Sequence, residues 1–215
     1  MIQQFRVKSD LDEISDVLKS CVFYSVMTEL ELYIQSSFGL EPVHTAEVGE
    51  LFESEMIDKG SFFTKEGALC GKLSFVKSGY LRVFKYVDGK EVTQWISSQG
   101  EFVAELSSLM YGTPSRWNIE ALTDCKLYTI SQSNYQKIGQ IVPHWEALEK
   151  QIIAKCFVSL EDRVFSFLSM SAEQRYLKLF DQNKELMNQI PLQYLASMLG
   201  MSPETMSRIR KKLSS

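Results

Sequence analysis

The sequence predicts an α+β fold in which a small β-barrel or sandwich precedes a long helix and a C-terminal helix-turn-helix. From about residue 55 to residue 130, short alternating segments are separated by glycines, which is typical of antiparallel strands joined by tight turns. Apolar residues then recur at near-helical spacing after Pro143, and two short amphipathic segments flank Gly200. We expect four parts: an N-terminal helical extension (1–42), a β-rich domain (43–142), a long helix (143–170) and a helix-turn-helix domain (171–215).

Composition limits the possible functions. With 215 residues, of which 45% are hydrophobic, the chain is long enough for one large or two small domains with a real core. A net charge of −4 and a pI of about 5.4 argue against a protein that coats nucleic acid, so any DNA contact must be local. The sequence has no glycine-rich phosphate loop and no nucleophile elbow, and we therefore expect that it is not an enzyme.

Cysteine usage and the N-terminal sequence predict the compartment. The four cysteines and two histidines lack the spacing of a metal or redox motif, so we expect reduced, buried cysteines and neither metal nor cofactor. Acidic residues interrupt the first 26 residues, which excludes the apolar core of a signal peptide, and no apolar run is long enough to span a membrane. The prediction is a cytoplasmic protein without membrane contact.

The N-terminal region predicts short helices. Residues 8–20 present a common apolar face, and a second helix begins at about Met27 with Thr28 as its cap. A third short helix is expected over residues 45–52. Two interpretations of residues 1–26 stay open: they form a functional arm, or they reflect an upstream start codon without functional meaning.

The β-rich region is predicted from alternation and turn chemistry. Lys72–Lys77 and Tyr80–Val87 are strand-like, and Asp88-Gly89 is a strong hairpin signal before the returning strand Glu91–Ser97. Ile119–Ala121 and Cys125–Ile130 are expected to complete the sheet structure.

The segment after Pro143 is predicted to be one long helix. Its apolar residues recur mostly every fourth position, in a stripe of Trp145, Leu148, Ile152, Cys156, Leu160, Val164 and Phe167/Leu168. An ordinary core helix and a dimerisation seam both fit this stripe. The pattern breaks at Ser169–Ser171, where Ser171 and Gln174 form a capping box for a helix over Ala172–Asp181. Residues 169–171 are a candidate hinge, and residues 182–189 are interpreted as a polar link.

The last segment predicts the helix-turn-helix. Leu192, Leu195, Ala196 and Leu199 share one helical face, Gly200 suits the turn, and Ser202 and Pro203 suit the start of a second helix. Met206, Ile209 and Leu213 form the predicted buried stripe of that helix. Residues 191–215 hold four basic residues and one acidic residue, a local positive charge on an acidic chain. An ordinary helical hairpin is the alternative, but this charge favours a phosphate-binding face.

Two motifs carry a resemblance to a known family. The stretch LASMLGMSPETMSRIRKKL resembles the helix-turn-helix of the Crp/Fnr family of bacterial transcription regulators. The run VKSGYLRV, followed by GEFVAEL, resembles the cyclic-nucleotide-binding β-roll of that family, so that the resemblance covers roughly residues 45–213. It implies a homodimer paired through the long helix, double-stranded DNA and RNA polymerase as partners, and an effector of unknown identity. A cyclic-nucleotide sensor that regulates a protein partner is the alternative.

The resemblance and the helical pattern assign roles to the second helix. Base contacts are expected from Glu204, Thr205 and Arg208, with Arg208 donating to guanine and Glu204 accepting from cytosine. Phosphate contacts are expected from Ser202, Arg210, Lys211 and Lys212, although the lysines could instead form a solvated helix end. Family members often place a base-reading Arg where this chain has Pro203, so we expect a different operator sequence.

The resemblance also implies an effector pocket, which this chain has altered. The family uses a Gly-Glu pair and, further on, an Arg-Ser pair to bind the cyclic nucleotide. Here the first pair is Ala104-Glu105, and the second region places Ser115 and Arg116 in the reversed order, followed by the bulky Trp117. We expect Arg116 to point away from the pocket, unless the loop adjusts, and Glu105 to be solvated or to cap a helix. The β-roll is therefore predicted not to bind cyclic AMP in the usual way.

Overall fold

The computed structural model describes residues 28–213. The predicted helix over residues 8–20 and the question of residues 1–26 lie outside the described residues. Two short helices open the described chain, α1 (Glu29–Phe38) and α2 (Pro42–Gly49). Thr28 caps α1 as predicted, in a capping box with Glu31. Helix α2 begins earlier than the predicted 45–52 because Pro42 occupies its first turn, where the missing N–H costs nothing.

The β-rich region forms two four-stranded antiparallel sheets packed face to face. The first sheet has the order β1-β8-β3-β6 and the second β2-β7-β4-β5. Except for the β4–β5 hairpin, strands that are neighbours in sequence lie in different sheets, and the fold is a jelly-roll-like sandwich. The strands are β1 (Glu53–Ile57), β2 (Phe62–Thr64), β3 (Lys72–Ser78), β4 (Leu81–Val87), β5 (Lys90–Ser97), β6 (Phe102–Ala104), β7 (Asn118–Ala121) and β8 (Cys125–Ser131).

Alternation along the strands builds two cores. Side chains that face inward fill the space between the sheets, including Val76, Leu81, Ile119 and Leu127. The opposite face of the first sheet packs against α1 and α2, so the N-terminal helices cover one side of the β-roll. The predicted β4–β5 hairpin is confirmed: Asp88 and Gly89 both have positive φ, 51° and 74°, as a tight two-residue turn requires.

Short helices connect the strands and lead to the long helix. They are α3 (Leu106–Tyr111), α4 (Gln132–Tyr135) and α5 (Ile138–Ile141). The long helix α6 spans Trp145–Ser169. It starts two residues after Pro143 because His144 has a positive φ of 58° and redirects the chain. No helix among residues 28–213 is long and apolar enough to cross a membrane.

The predicted stripe on α6 is divided between two environments. Leu148 packs with the β-roll core and Ile152 is half-buried, whereas Cys156, Leu160 and Val164 are exposed. Steps of four residues advance by more than one helical turn, so a stripe at that spacing drifts around the helix. Phe167 and Leu168, at the end of the stripe, are exposed as well. The exposed apolar surface also includes residues that the stripe omitted: Ile153, Phe157, Val158 and Phe165.

Exposure of Cys156 also corrects the expectation of buried cysteines. Of the three cysteines that the structure describes, Cys70 and Cys125 are buried free thiols and Cys156 is an exposed one. Its position follows from α6, because no element of the described chain covers that face of the helix.

Four helices form the C-terminal part, namely α7 (Ala172–Gln182), α8 (Lys184–Gln189), α9 (Leu192–Met198) and α10 (Pro203–Leu213). The capping box of Ser171 and Gln174 is confirmed at the start of α7. The polar link predicted for 182–189 is wrong, because the segment contains α8, whose Leu186 and Met187 join the core. Leu213 was predicted to be buried and is 44% exposed, since it lies in the last turn beyond that core.

The C-terminal part docks against the outer face of the second sheet. The Thr93 backbone N–H of β5 donates to Ser197 Oγ of α9 at 2.9 Å. Arg82 of β4 is only 1% exposed, and its guanidinium stacks 3.9 Å from the ring centroid of Tyr194. It donates to Glu91 Oε2 at 2.8 Å and to Thr93 Oγ1 at 3.0 Å, so its charge is paired at this junction.

Candidate nucleic-acid interface and effector site

The two helices α9 and α10 form the predicted helix-turn-helix. Gly200 in the turn has a φ of 63°, a left-handed conformation that favours glycine. Ser202 caps α10, since its Oγ accepts from the Thr205 N–H at 3.2 Å. Met206 and Ile209 are buried in the core with Leu195 and Ala196 of α9. This packing fixes which face of α10 is turned outward.

The outward face carries the predicted base-contacting residues. Glu204 and Arg208 are exposed one turn apart, and Thr205 between them is half-buried. Arg208 Nη2 lies 3.5 Å from Thr205 Oγ1, so the guanidinium extends along the face. Hydrogen bonding at the helix start, from its own backbone and from Ser202, lowers the pKa of Glu204 and favours the carboxylate that accepts from an amino group. Sequence reasoning missed Ser207, which is exposed beside Arg208.

The predicted phosphate-contacting residues fall into two groups. Ser202, Lys211 and Lys212 are exposed, and Arg210 is half-buried. Arg210 donates from Nη2 to the Met187 carbonyl at 2.8 Å, and Lys212 Nζ lies 2.8 Å from Glu173 Oε2. Arg210 and Lys212 therefore also hold α10 against α8 and α7, which the sequence pattern did not indicate. Of the four predicted residues, Lys211 is exposed and takes no part in these contacts, whereas the Ser202 hydroxyl caps α10.

The predicted effector pocket is built around a buried carboxylate. Glu105 is 1% exposed and caps α3, accepting from the Ser108 N–H at 2.6 Å. Helix capping was one of the two predicted roles; the other, a solvated carboxylate, is wrong. Ser107 Oγ also donates to Glu105, at 2.7 Å, so that most of the carboxylate's bonding capacity is used within the protein.

The orientation expected for Arg116 is corrected. Its Nε donates to Glu105 Oε1 at 3.2 Å, because the loop before β7 brings the guanidinium back toward α3. Burial raises the pKa of Glu105, but the hydrogen bonds from Ser107, Ser108 and Arg116 outweigh it and leave the pKa below its ordinary value. The lowered pKa favours the ionised Glu105 carboxylate, which pairs with the exposed Arg116 guanidinium.

The remaining pocket residues serve the loop itself. Ser115 is buried and its Oγ donates to the Trp117 carbonyl at 2.7 Å, while the Trp117 N–H lies 3.3 Å from the same Oγ. Trp117 and Ala104 are half-buried. A cavity of about 440 Å³ in the β-roll is lined by residues including Glu55, Cys70, Lys72 and Thr129, and none of the predicted pocket residues lines it. Among the described residues there is no cluster of His, Cys, Asp or Glu that could hold a metal ion.

Comparison with known proteins agrees with this architecture. Residues 55–140 match the family model described as the cyclic nucleotide-binding domain. Over 176 residues the chain is 26% identical to the cyclic AMP receptor protein of Thermus thermophilus, and the match covers 80% of this chain and 81% of that protein.

Two solved structures share the fold. A CooA variant from Carboxydothermus hydrogenoformans has a TM-score of 0.61 at 18% identity, and the alignment covers 89% of this chain and 87% of that one. FixK2 from Bradyrhizobium japonicum has a TM-score of 0.61 at 17% identity, covering 76% of this chain and 84% of that one. The predicted α+β architecture is confirmed.

Proposed function

We propose that this chain, which its cyclic nucleotide-binding domain and its similarity to the Thermus receptor protein mark as a Crp/Fnr-type protein, is a homodimeric regulator of transcription. It binds double-stranded DNA sequence-specifically, acts in the cytoplasm, recruits or obstructs RNA polymerase, and is not an enzyme. In the dimer, two copies of α10 enter successive major grooves roughly 34 Å apart.

The observation that carries this proposal is the outward face of α10. The buried Met206 and Ile209 orient the helix, and Glu204, Thr205 and Arg208 then lie on the opposite side beside the exposed Lys211. A helix that presents hydrogen-bonding side chains flanked by positive charge has the chemistry of a major-groove reader.

Selection from random-sequence DNA duplexes at low salt tests the proposal. We expect the protein to enrich a near-palindromic sequence with two half-sites one helical turn apart. If the protein retains no duplex in this selection, the proposal is contradicted. That result favours the alternative in which the terminal helices regulate a protein partner.

Two substitutions on α10 are expected to differ in kind. Arg208→Ala should weaken binding to the selected site by about 1–3 kcal/mol and relax base preference at one position in each half-site. Lys211→Ala should weaken binding to every sequence and lower the salt dependence by about one counterion, because a phosphate contact reads no base. Affinities measured over a salt series distinguish the two, and identical behaviour of the variants contradicts this division of roles.

We also propose that this β-roll does not bind cyclic AMP in the family's usual way. A ligand ribose at Glu105 would have to displace Ser107, the Ser108 N–H or Arg116, all of which already bond the carboxylate. The effector, if the protein uses one, is of other chemistry.

Calorimetric titration with cyclic AMP and cyclic GMP is expected to show no binding at micromolar ligand. Glu105→Ala and Arg116→Ala, each removing one member of the pair, are the matched variants and should give the same flat titrations. Micromolar binding by the unmodified protein that either variant abolishes would contradict the proposal.

A further inference from the structure

The turn of the helix-turn-helix is held by two arginines that lie outside it. Arg163 of α6 donates from Nη2 to the Met198 carbonyl at 3.2 Å. Arg175 of α7 donates from Nε to the Leu199 carbonyl at 2.9 Å, and its Nη2 lies 3.5 Å from the Gly200 carbonyl. These carbonyls end α9, where a helix leaves its last acceptors without intrahelical partners and carries partial negative charge. Two guanidinium groups thus satisfy the end of α9.

Arg175 also joins this turn to the candidate hinge. Its Nη1 donates to the carbonyl of Met170, the residue that ends α6, at 2.7 Å. One planar guanidinium therefore contacts both the break between α6 and α7 and the turn before α10. Because the group is rigid, it fixes the distance between those two points more closely than separate contacts would.

Aromatic rings complete the connection. The Arg163 guanidinium lies 5.0 Å from the ring centroid of Trp95 on β5 and 5.6 Å from that of Phe167, and Arg175 lies 5.2 Å from Phe167. Phe167 also packs closely on the turn, since a Cβ added to Gly200 would stand 2.9 Å from Phe167 Cε1. The contacts form a continuous series from the β-roll through α6 to the turn.

Both guanidinium groups make their contacts with backbone carbonyls and aromatic rings rather than with carboxylates. No carboxylate within residues 28–213 lies at ion-pair distance from either guanidinium. Their donors therefore face backbone carbonyls and aromatic rings, which are charge-assisted and cation–π contacts with defined geometry.

We propose that Arg163 and Arg175 are positioning residues that set the orientation of α10 relative to α6. Helix α10 begins at Pro203, directly after the turn that the two arginines hold. In a dimer joined through α6, this orientation determines the separation of the two reading helices. This last consequence depends on the proposed function, whereas the orientation of α10 within one protomer does not.

Spin-label distances within one protomer test the orientation directly. Labels are attached to cysteines at Gln151 of α6 and Ser207 of α10, both exposed, in a chain whose Cys21 and Cys156 are serine. Labelled chain is diluted into an excess of unlabelled chain, so that only distances within a protomer are measured. We expect one narrow distribution of label-to-label distances for the parent. In Arg163→Met and Arg175→Met the distribution should be at least about twice as wide, because methionine keeps the aliphatic packing and removes the hydrogen-bond donors.

Lys178→Met is the matched control. Lys178 is an exposed residue of α7 that lines one surface groove together with Arg163 and Arg175. The substitution removes a positive charge there and should leave the distance distribution narrow. Circular dichroism checks that each variant is folded. Arg175→Lys is a milder second variant, because lysine keeps the charge but cannot bridge the carbonyls of Met170 and Leu199. It should widen the distance distribution to an intermediate extent.

DNA binding supplies the functional counterpart. With the selected operator, inserting five base pairs between the half-sites should weaken parental binding at least about tenfold, since it turns one half-site to the opposite face of the duplex. In Arg163→Met and Arg175→Met, the same insertion should reduce the affinity for the operator by a several-fold smaller factor than in the parent. If the protein selects no DNA, the proposed function fails while the distance measurement still tests the arginines. Distributions as narrow in Arg163→Met and Arg175→Met as in Lys178→Met overturn the positioning role.

Discussion

Replacing Gly79 by alanine is expected to destabilise the β-roll by at least about 3 kcal/mol. Gly79 has a φ of +97°, and an added Cβ would stand 2.6 Å from the Asp124 carbonyl oxygen and 2.9 Å from Cys125 Cα. Both are backbone atoms where the chain enters β8 beside the buried Cys125, and they cannot move away without disturbing the strand. Strain and overlap therefore act together at this position.

Gly89→Ala is the matched control for Gly79→Ala. Its φ of +74° imposes a similar backbone strain, but nothing lies within 4 Å of the added Cβ. We expect a loss of about 1 kcal/mol, the ordinary cost of a non-glycine residue in the left-handed region. Urea titrations followed by tryptophan fluorescence measure both free energies of unfolding. Equal losses for the two variants would show that the packing around Gly79 is looser than the structure indicates.

Introducing lysine at both Phe157 and Leu160 is expected to convert the protein to a monomer. The two side chains are 58% and 49% exposed on the apolar face of α6, so lysine there is solvated in an isolated protomer but meets its like charge in a dimer. Because a dimer holds two reading helices on one duplex, its loss should weaken binding to the palindromic site at least about a hundredfold.

Light scattering gives the mass of this double variant, and gel shift assays give its affinity. Met56→Lys is the control, since it places lysine at an apolar residue of β1 that is 69% exposed and lies outside α6. It should leave the mass and the affinity unchanged. A monomeric mass for the unmodified protein at micromolar concentration, or a dimeric mass for the double variant, contradicts pairing through this face.

Local patterns were sufficient for much of the fold. The Thr28 cap, the capping box of Ser171, the Asp88-Gly89 hairpin and the Gly200 turn were all predicted, because each depends on side chains within a few residues of the backbone they contact. The boundaries of the four predicted parts and the DNA-contacting roles on α10 stay predictions.

Other errors arose where distant residues decide the outcome. Helix α8 was not predicted because its sequence is mostly polar. Its Leu186 and Met187 are buried only in the folded chain, where they pack in one core with residues of α9 and α10. The order of Ser115 and Arg116 indicated a guanidinium turned away, yet the loop before β7 returns Arg116 to Glu105. The apolar spacing on α6 did not indicate which of these residues pack against the β-roll. That depends on how far α6 runs beside the β-roll, which is a property of the tertiary structure.

The amino-acid sequence by itself determined the strands β3, β4, β5, β7 and β8, the long helix, the position of the helix-turn-helix and the face of α10 that turns outward, because period and capping are local properties. The short strands β1, β2 and β6 were not predicted, since three to five residues give too little alternation. Tertiary structure alone decided the partners of the long charged side chains. Arg82, Arg163 and Arg175 look like ordinary surface arginines in the sequence, but each lies where the C-terminal helices meet the rest of the chain. A guanidinium reaches several ångströms from its backbone, and it therefore bonds with whatever the folded chain places at that distance.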